Sequence, residues 1–353
     1  MNEKDLKILA KKIKVWGHEL GFQQVGITNT ELTEDSDHLR KWLDNNYHGD
    51  MEYMSNHADL RADPKKLMPK TLSVISLTMN YLPPEVETVK LLDHPDLAYI
   101  SRYAVGRDYH KLIRKRIKKL SEKIMQYGYK NSFRPFVDSA PVLERALAQK
   151  AGLGWIGKNT MLINTSKGSW FFLGELFTSL DLPTDEPINK NHCGTCTACL
   201  DICPTEAFVG PNQLDARKCI SYLTIEHKGS IPESLRKKIG NRVFGCDDCQ
   251  LICPWNKFAK PTDERDFSPR YNVDKIKLVD LFTWTEEEFN KKTLGSPIKR
   301  IGYERWLRNL AVGLGNGIKS SSIIEVLKSR LGVSNLVDEH IKWAIKSQRN
   351  QTN

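Results

Sequence analysis

Eight cysteines carry the most specific chemistry in this sequence, and all lie between Cys193 and Cys253. The first run is Cys193-x2-Cys196-x2-Cys199-x3-Cys203-Pro204. The second is Cys246-x2-Cys249-x3-Cys253-Pro254, with Cys219 upstream. The first run has the spacing that holds 4Fe–4S clusters in bacterial ferredoxins. There three cysteines take three corners of one cubane, and the cysteine before proline turns to the other cluster. The ligands then divide without remainder. Cys193, Cys196, Cys199 and Cys253 serve one cluster; Cys203, Cys219, Cys246 and Cys249 serve the second. Zinc ribbons also use C-x2-C pairs, but they have no need of two runs ending in Cys-Pro. A secreted disulfide framework would spread its cysteines along the chain. Two adjacent clusters form a relay for low-potential electrons. A plain ferredoxin needs only the cysteine region, yet 192 residues precede Cys193. The electrons are expected to be used inside the chain.

A second site candidate is Asp138, which ends a strand-like stretch and precedes Ser139-Ala140-Pro141. Asp at such a place commonly caps a helix. Ser139 could cap instead and leave Asp138 free to act. Glu144 and Arg145 read as a structural ion pair. Gly152-Leu153-Gly154-Trp155-Ile156-Gly157 satisfies G-x-G-x-x-G, but a helix precedes it and a strand follows. That order is the reverse of a dinucleotide site. The glycines still allow close backbone approach, and Lys158 and Asn159 add donors, so another cofactor against this loop is expected. Asp108-x-His110-x-x-Ile113 lacks the glycine of a D-x-H-x-x-G pattern. No two of the nine histidines have metal-ligand spacing. His57, His110 and His227 read as polar contacts or surface residues.

The elements that must position these groups follow from periodicity. Leu6, Leu9, Ile13, Trp16 and Leu20 predict a helix over 4–20. Residues 24–28, 73–81 and 133–137 predict strands, the second ending before Pro83-Pro84. Residues 108–127 predict a strongly basic helix with Leu112, Ile113, Ile117 and Leu120 inward. A helix over 141–151 is stopped at Gly152. Residues 161–164 and 170–180 predict two strands around a Ser166-Lys167-Gly168 turn. Helices and strands alternate, so an α/β (or α+β) domain is expected over 1–185. A small ferredoxin-like domain is expected over 186–262, and a helical domain over 263–353. There Trp306, Leu307, Leu310 and Leu314, then residues 323–331, suggest paired HEAT-like helices.

Composition sets the outer limits. With 353 residues, 40% of them hydrophobic and 27% charged, the chain is ordinary globular protein. No apolar run is long enough to cross a membrane, and the N-terminus reads as an amphipathic segment rather than a signal peptide. A cytoplasmic protein is expected, and nothing demands more than a monomer. The net charge is +10. From Lys291 onward there are twelve basic and four acidic residues, a local excess of eight. Basicity gathered at one end suggests a polyanion-binding surface; a Lys-rich solvated bundle is the plainer reading.

With these blocks in place, the chain resembles the epoxyqueuosine reductases over essentially its whole length. The stretches that carry the resemblance are Ile100 to Ala104 with Gly106 to His110, Asp138 to Pro141 with Glu144-Arg145, and Gly152 to Asn159. Gly168 to Glu175, both cysteine runs and Leu307-Arg308-Asn309 complete it. The resemblance implies a cobalamin enzyme with two 4Fe–4S clusters, related in architecture to reductive dehalogenases. It implies reduction of epoxyqueuosine in tRNA to queuosine, the last step of that modification. It implies a corrinoid without a histidine on cobalt, fed by an outside reductase or flavodoxin. Asp138 matches the family's proposed proton donor, and a raised pKa through burial is expected for it. Cofactor contacts are expected from Arg61, Ser101, Tyr103, Asp138, Lys158 and Asn159. Arg61 could instead pair with Asp59 or Asp63. Tyr222 and residues 224–226 follow Cys219 closely and are expected between the second cluster and the corrin. Phosphate contacts to tRNA are expected from Lys291, Lys292, Lys299, Arg300, Arg305 and Arg308. The basic helix with Arg114, Lys115, Arg116, Lys118 and Lys119 is a second surface of that kind. A reductive dehalogenase, or a non-enzymatic electron carrier, would share the clusters without the basic tail.

Overall fold

The computed structural model describes residues 3–83, 88–188 and 190–350. Met1, Asn2, Pro84 and the last three residues, named in the sequence reading, lie outside the described residues. The apolar stripe of the first helix is realised over Glu3–Glu19, which buries Leu9, Ala10 and Ile13. It packs beside a four-stranded sheet in the order Gln24–Thr28, Ser73–Asn80, Phe171–Thr178, Phe133–Phe136. Ser73–Asn80 is buried at every position, because helices cover both faces. Ile75, Leu77 and Met79 face Ile113, Ile117 and Leu120 of the basic helix Tyr109–Gln126. Val74, Phe136 and Phe177 face Ala146 and Leu147 of the helix Glu144–Lys150.

Every neighbouring pair in this sheet is antiparallel. The domain is therefore mixed α+β and not the parallel arrangement that alternating elements suggest. Periodicity reveals a strand but not the direction in which the chain re-enters the sheet. The expected pairing of residues 161–164 with 170–180 also changes. Leu162–Ile163 pairs with Trp155–Ile156, while Phe171–Thr178 joins the main sheet. Only the Asn164–Gly168 bridge keeps the turn, with Gly168 at φ +67°.

The cysteine region is built from short pieces. The helices Ala198–Asp201 and Asp248–Leu251 pack on each other. The strand Arg242–Phe244 pairs in parallel with Tyr99–Ile100. That pairing crosses the expected boundary at 185. So does the largest core, where Ala98, Ile100 and Val105 meet Val243 and Phe244 and then Trp306, Leu307, Leu310 and Leu314 of the tail. The tail is helical, with Gly302–Asn316 packed against Asn335–Asn350. Among the described residues no helix is long and apolar enough to cross a membrane.

His340 ties the tail to the cysteine region. It is fully buried, its Nε2 accepts the Ile231 N–H at 3.1 Å, and its Nδ1 lies 2.7 Å from the Leu336 carbonyl. Burial pushes its pKa down from 6.5 to about 4. A lowered histidine stabilises the fold fully above its unfolded pKa and loses that contribution as pH falls toward the folded one. The melting temperature should therefore drop between pH 6.5 and about 4. His340→Leu should melt lower at neutral pH yet show a flatter acid limb, read by circular dichroism.

Candidate active site

Asp108, Tyr109 and His110 open the basic helix. Asp108 caps it: its Oδ1 accepts the His110 N–H at 3.0 Å and also faces His110 Nδ1 at 2.6 Å. On the other edge of the ring, His110 Nε2 faces Asp138 Oδ2 at 3.1 Å. The Tyr109 hydroxyl donates to the same oxygen at 2.7 Å. Tyr109 is stacked on Phe172 and on the His110 ring, at 3.8 and 4.3 Å between centroids. Burial opposes charge on His110, but carboxylates at both nitrogens win and push its pKa up to about 9. Burial would likewise raise Asp138, yet the bonds from His110 and Tyr109 hold it below its ordinary value. The expected raised pKa is thus corrected: in this arrangement the proton stands on His110 and Asp138 is the anion beside it. The Asp108-x-His110 spacing was the available signal for this role, and a reading confined to cobalt ligation passed over it.

Asp138 follows the strand Phe133–Phe136 and has φ +48°. Side chains rarely adopt that region without support. The support is Glu144, whose Oε1 accepts the Asp138 N–H at 2.6 Å. Asp138 does not cap the next helix; Leu143 stands at that position with no side-chain bond. Glu144 is occupied with this loop, and Arg145 donates to the Thr160 carbonyl.

The Asp138 side chain remains 49% exposed between His110 and Tyr109 on one side and the Glu144 loop on the other, and this open face is the candidate cleft. Tyr53, Arg61, Tyr103 and Arg300 lie within electrostatic reach of it. Burial pushes Tyr53 up to about 12. Arg61 is buried and donates to the Ala140 carbonyl at 3.3 Å, while its Nε is buried without a partner. Its proposed ion-pair partners are engaged elsewhere: Asp59 lies 3.9 Å from Lys66, and Asp63 accepts the Lys65 N–H. Arg300 reaches the cleft from the tail and pairs with Glu226 at 2.8 Å. The Tyr222 hydroxyl accepts the Asp50 N–H, and its ring is buried in a core against which Cys219 and Cys246 pack.

The cysteines gather in two groups. Cys193, Cys196, Cys199 and Cys253 line one cavity of about 320 Å³, with Asn159 and Trp255. Cys219, Cys203, Cys246 and Cys249 are electrostatic neighbours in the second group. Among the described residues no three His, Cys, Asp or Glu converge on a single-ion site. The thiols of the first group surround a space, as a cluster requires. The loops are fixed from outside. Lys158 Nζ donates to the Gly194 and Cys196 carbonyls at 2.8 and 2.9 Å. Buried Asn159 donates to the Cys249 carbonyl at 3.0 Å, so it spans the two groups. Asn256 Oδ1 accepts the Ser169 N–H at 2.7 Å. Asp247, next to Cys246, accepts from Tyr99 at 2.7 Å and from the Arg102 N–H at 2.8 Å. Ser101 is buried, and its N–H donates to the Phe244 carbonyl. The Tyr103 ring then lies beside Tyr109, which holds Asp138, and beside Phe244, two residues before Cys246. The second thiol group and the cleft therefore share one wall.

Residues 192–256 match the 4Fe-4S double cluster binding domain, and residues 61–139 match the family described as epoxyqueuosine reductase QueG, DUF1730. The chain is similar to the epoxyqueuosine reductase of Pseudomonas aeruginosa, 59% identical over 96% of this chain and 94% of that one. The chain belongs to the epoxyqueuosine reductase family. The Escherichia coli K12 member is 56% identical over 99% of this chain and 92% of that one. An epoxyqueuosine reductase crystallised with a tRNA-Tyr epoxyqueuosine-modified stem loop has a TM-score of 0.86 at 29% identity. It covers 97% of this chain and 91% of its own. The Bacillus subtilis epoxyqueuosine reductase, solved with an aspartate-bearing catalytic loop swung out of the active site, gives 0.85 at 28%. Coverage is again 97% and 91%. Membership in the epoxyqueuosine reductase family makes the chain an oxidoreductase.

The tail cations divide sharply. Arg308 is fully buried and donates to the carbonyls of Leu223, His227 and Gly229 and to Asn309. It is a structural pin and not a phosphate contact; its helical position, three residues from Arg305, hides that. Arg305 spends its guanidinium on the Ile225, Arg300 and Ile301 carbonyls. Lys292 lies over the Trp284 ring at 4.3 Å, and Lys299 donates to Asn290. Lys291, Lys299 and Arg300 are exposed.

The two thiol groups should be separable. Cys196→Ser and Cys249→Ser should each leave about half the iron of the reconstituted wild-type protein. Electron paramagnetic resonance should show a different surviving signal in each. Loss of both signals from either change would contradict two independent groups.

Proposed function

We propose that this chain reduces epoxyqueuosine in the anticodon loop of a tRNA to queuosine, the last step in making that nucleoside. The observation that carries the reading is the Asp108–His110–Asp138 array in a cleft that shares a wall with the second thiol group. A stored proton next to an electron source is what the reaction needs. Opening the epoxide to an alkene consumes two electrons and two protons and releases water.

The ligand sets follow the two thiol groups. Cys193, Cys196, Cys199 and Cys253 would hold one 4Fe–4S cluster; Cys203, Cys219, Cys246 and Cys249 would hold the other. Cys196 is exposed, whereas Cys246 and Cys249 are deeper. An external donor of flavodoxin or reductase type would therefore load the first cluster, and the second would face the cleft. Lys158 and Asn159 act as cofactor contacts on the cluster side. Cobalamin fits the cleft side. The orphaned Arg61 Nε is a free donor for a corrin carboxamide or phosphate, and Tyr103 and Asp138 flank the same space. Ser101 backs this wall. When bound, the corrinoid supplies a strongly reducing cobalt to the substrate.

The chain's own residues manage the proton. As charge grows on the departing oxygen, the proton on His110 Nε2 passes through Asp138 Oδ2 to that oxygen. Tyr109 holds the carboxylate in line. The helical tail, read as a HEAT-like unit, would take the anticodon stem through Lys291, Lys292, Lys299 and Arg300. Arg300 would place the loop over Asp138. The family, the absence of a membrane-crossing helix among the described residues and the RNA substrate support a cytoplasmic site of action. A monomer suffices, because one chain supplies every group named.

Asp138→Asn should retain the absorbance of clusters and corrinoid and lose about 10²–10⁴-fold in kcat. Wild-type turnover in that variant would remove Asp138 from the chemistry. Binding of a tRNA stem loop should weaken steeply with salt, and Lys291→Ala with Lys299→Ala should reduce the slope by about two phosphate contacts. A slope unchanged in the double variant would move the RNA to another face.

A further inference from the structure

The sheet beneath Asp138 contains an acid with no cation to meet it. Glu175 sits in the middle of the strand Phe171–Thr178 and is fully buried. No donor reaches either of its oxygens. Directly across the ladder, Ser76 is also fully buried and its hydroxyl is also unpartnered. The surroundings are Val74, Phe136, Leu147 and Phe177, an apolar layer. Glu144 lies over this spot within hydrogen-bonding reach of Glu175. Two carboxyls in such contact are satisfied only by a proton between them. The arginines nearby are engaged, Arg145 with Thr160 and Arg61 with Ala140.

Burying an unpaired acid destabilises a fold. Two coupled acids below a proton-consuming site point to use. One oxygen of Glu144 holds the Asp138 N–H, so the pair touches the reacting loop directly. Asp138, His110, Tyr109, Arg61 and Arg145 are the other charged or titratable groups that face it.

We propose that Glu144 and Glu175 form a shared-proton pair that fixes the Asp138 backbone and supplies the second proton of each turnover. The inference rests on the reduction proposed above. One proton leaves the His110–Asp138 pair for the departing oxygen. The second passes from the carboxyl pair to the Asp138 carboxylate and on to the same oxygen, which leaves as water; the pair is then refilled from solvent through the partly exposed Glu144. Neither carboxyl touches the reacting atoms; both act through Asp138.

The test is the pH profile of kcat for wild type, Glu144→Gln and Glu175→Gln, with tRNA affinity and an infrared carboxyl titration in parallel. Burial and the Asp138 charge raise Glu144 to about 7, and the protonated pair is the competent form. The wild-type rate should therefore fall as pH rises through that value. Glu144→Gln keeps an oxygen for the Asp138 N–H but cannot carry the proton. It should lose about tenfold in kcat with KM nearly unchanged. Its profile should retain only the His110 limb near about 9, and no carboxyl infrared band should titrate with the lost limb. Glu175→Gln donates to Glu144 and should move the same limb to lower pH. A wild-type limb preserved in both variants overturns the proposal, as does a wild-type protein with no titrating carboxyl band. A wild type that leaves epoxyqueuosine untouched while the band titrates overturns the proposed reaction instead.

Discussion

Four thiols line one cavity and four more lie near one another, and neither group is contiguous in sequence. Cys253 joins the first run's cavity, while Cys203 leaves that run for the second group. The runs can interleave only if the helices Ala198–Asp201 and Asp248–Leu251 lie against each other. Those helices are four residues long and cannot stand alone. The rest of the chain supplies what they lack. Lys158 and Asn159 hold the loops from one side, and Ser169 with Asn256 from another. Tyr99 and Arg102 fix Asp247 from a third.

That need for outside support explains why the three sequence regions share cores. The segment around Tyr99 leaves the first domain to pair with Arg242–Phe244 and to pack under the tail helix Gly302–Asn316. The same segment then runs through Tyr103 into the Asp108–His110 cap. The residues that brace the thiol loops and those that hold Asp138 therefore belong to one continuous stretch, about ten residues long. The cleft inherits its position from the thiol groups.

The elements most legible in the sequence are those with long amphipathic stripes. Glu3–Glu19 and Tyr109–Gln126 begin and end close to where their apolar spacing places them, and Gly302–Asn316 contains the whole Trp306-to-Leu314 stripe. The thiol grouping is legible too, because the Cys-Pro spacing dictates direction. Strand polarity is not, since hydrophobic alternation is blind to it. Charge read along the chain misplaces Arg308, whose guanidinium is consumed by carbonyls distant in sequence. It also understates Arg300, which reaches the cleft only because the tail folds back on residues 98–105. His110 is visible as part of Asp108-x-His110, but its value lies in Asp138 arriving on the loop after the strand Phe133–Phe136.

The account stands or falls on a proton site and an electron relay acting on one nucleoside. The direct measurement is an anaerobic single turnover of the reconstituted protein on a stem loop bearing epoxyqueuosine. Cobalamin is present or withheld, and the nucleosides are read by mass spectrometry. Loss of one oxygen only with cobalamin present is the predicted result. An unchanged nucleoside, with both clusters and the corrinoid confirmed by absorbance, would contradict it.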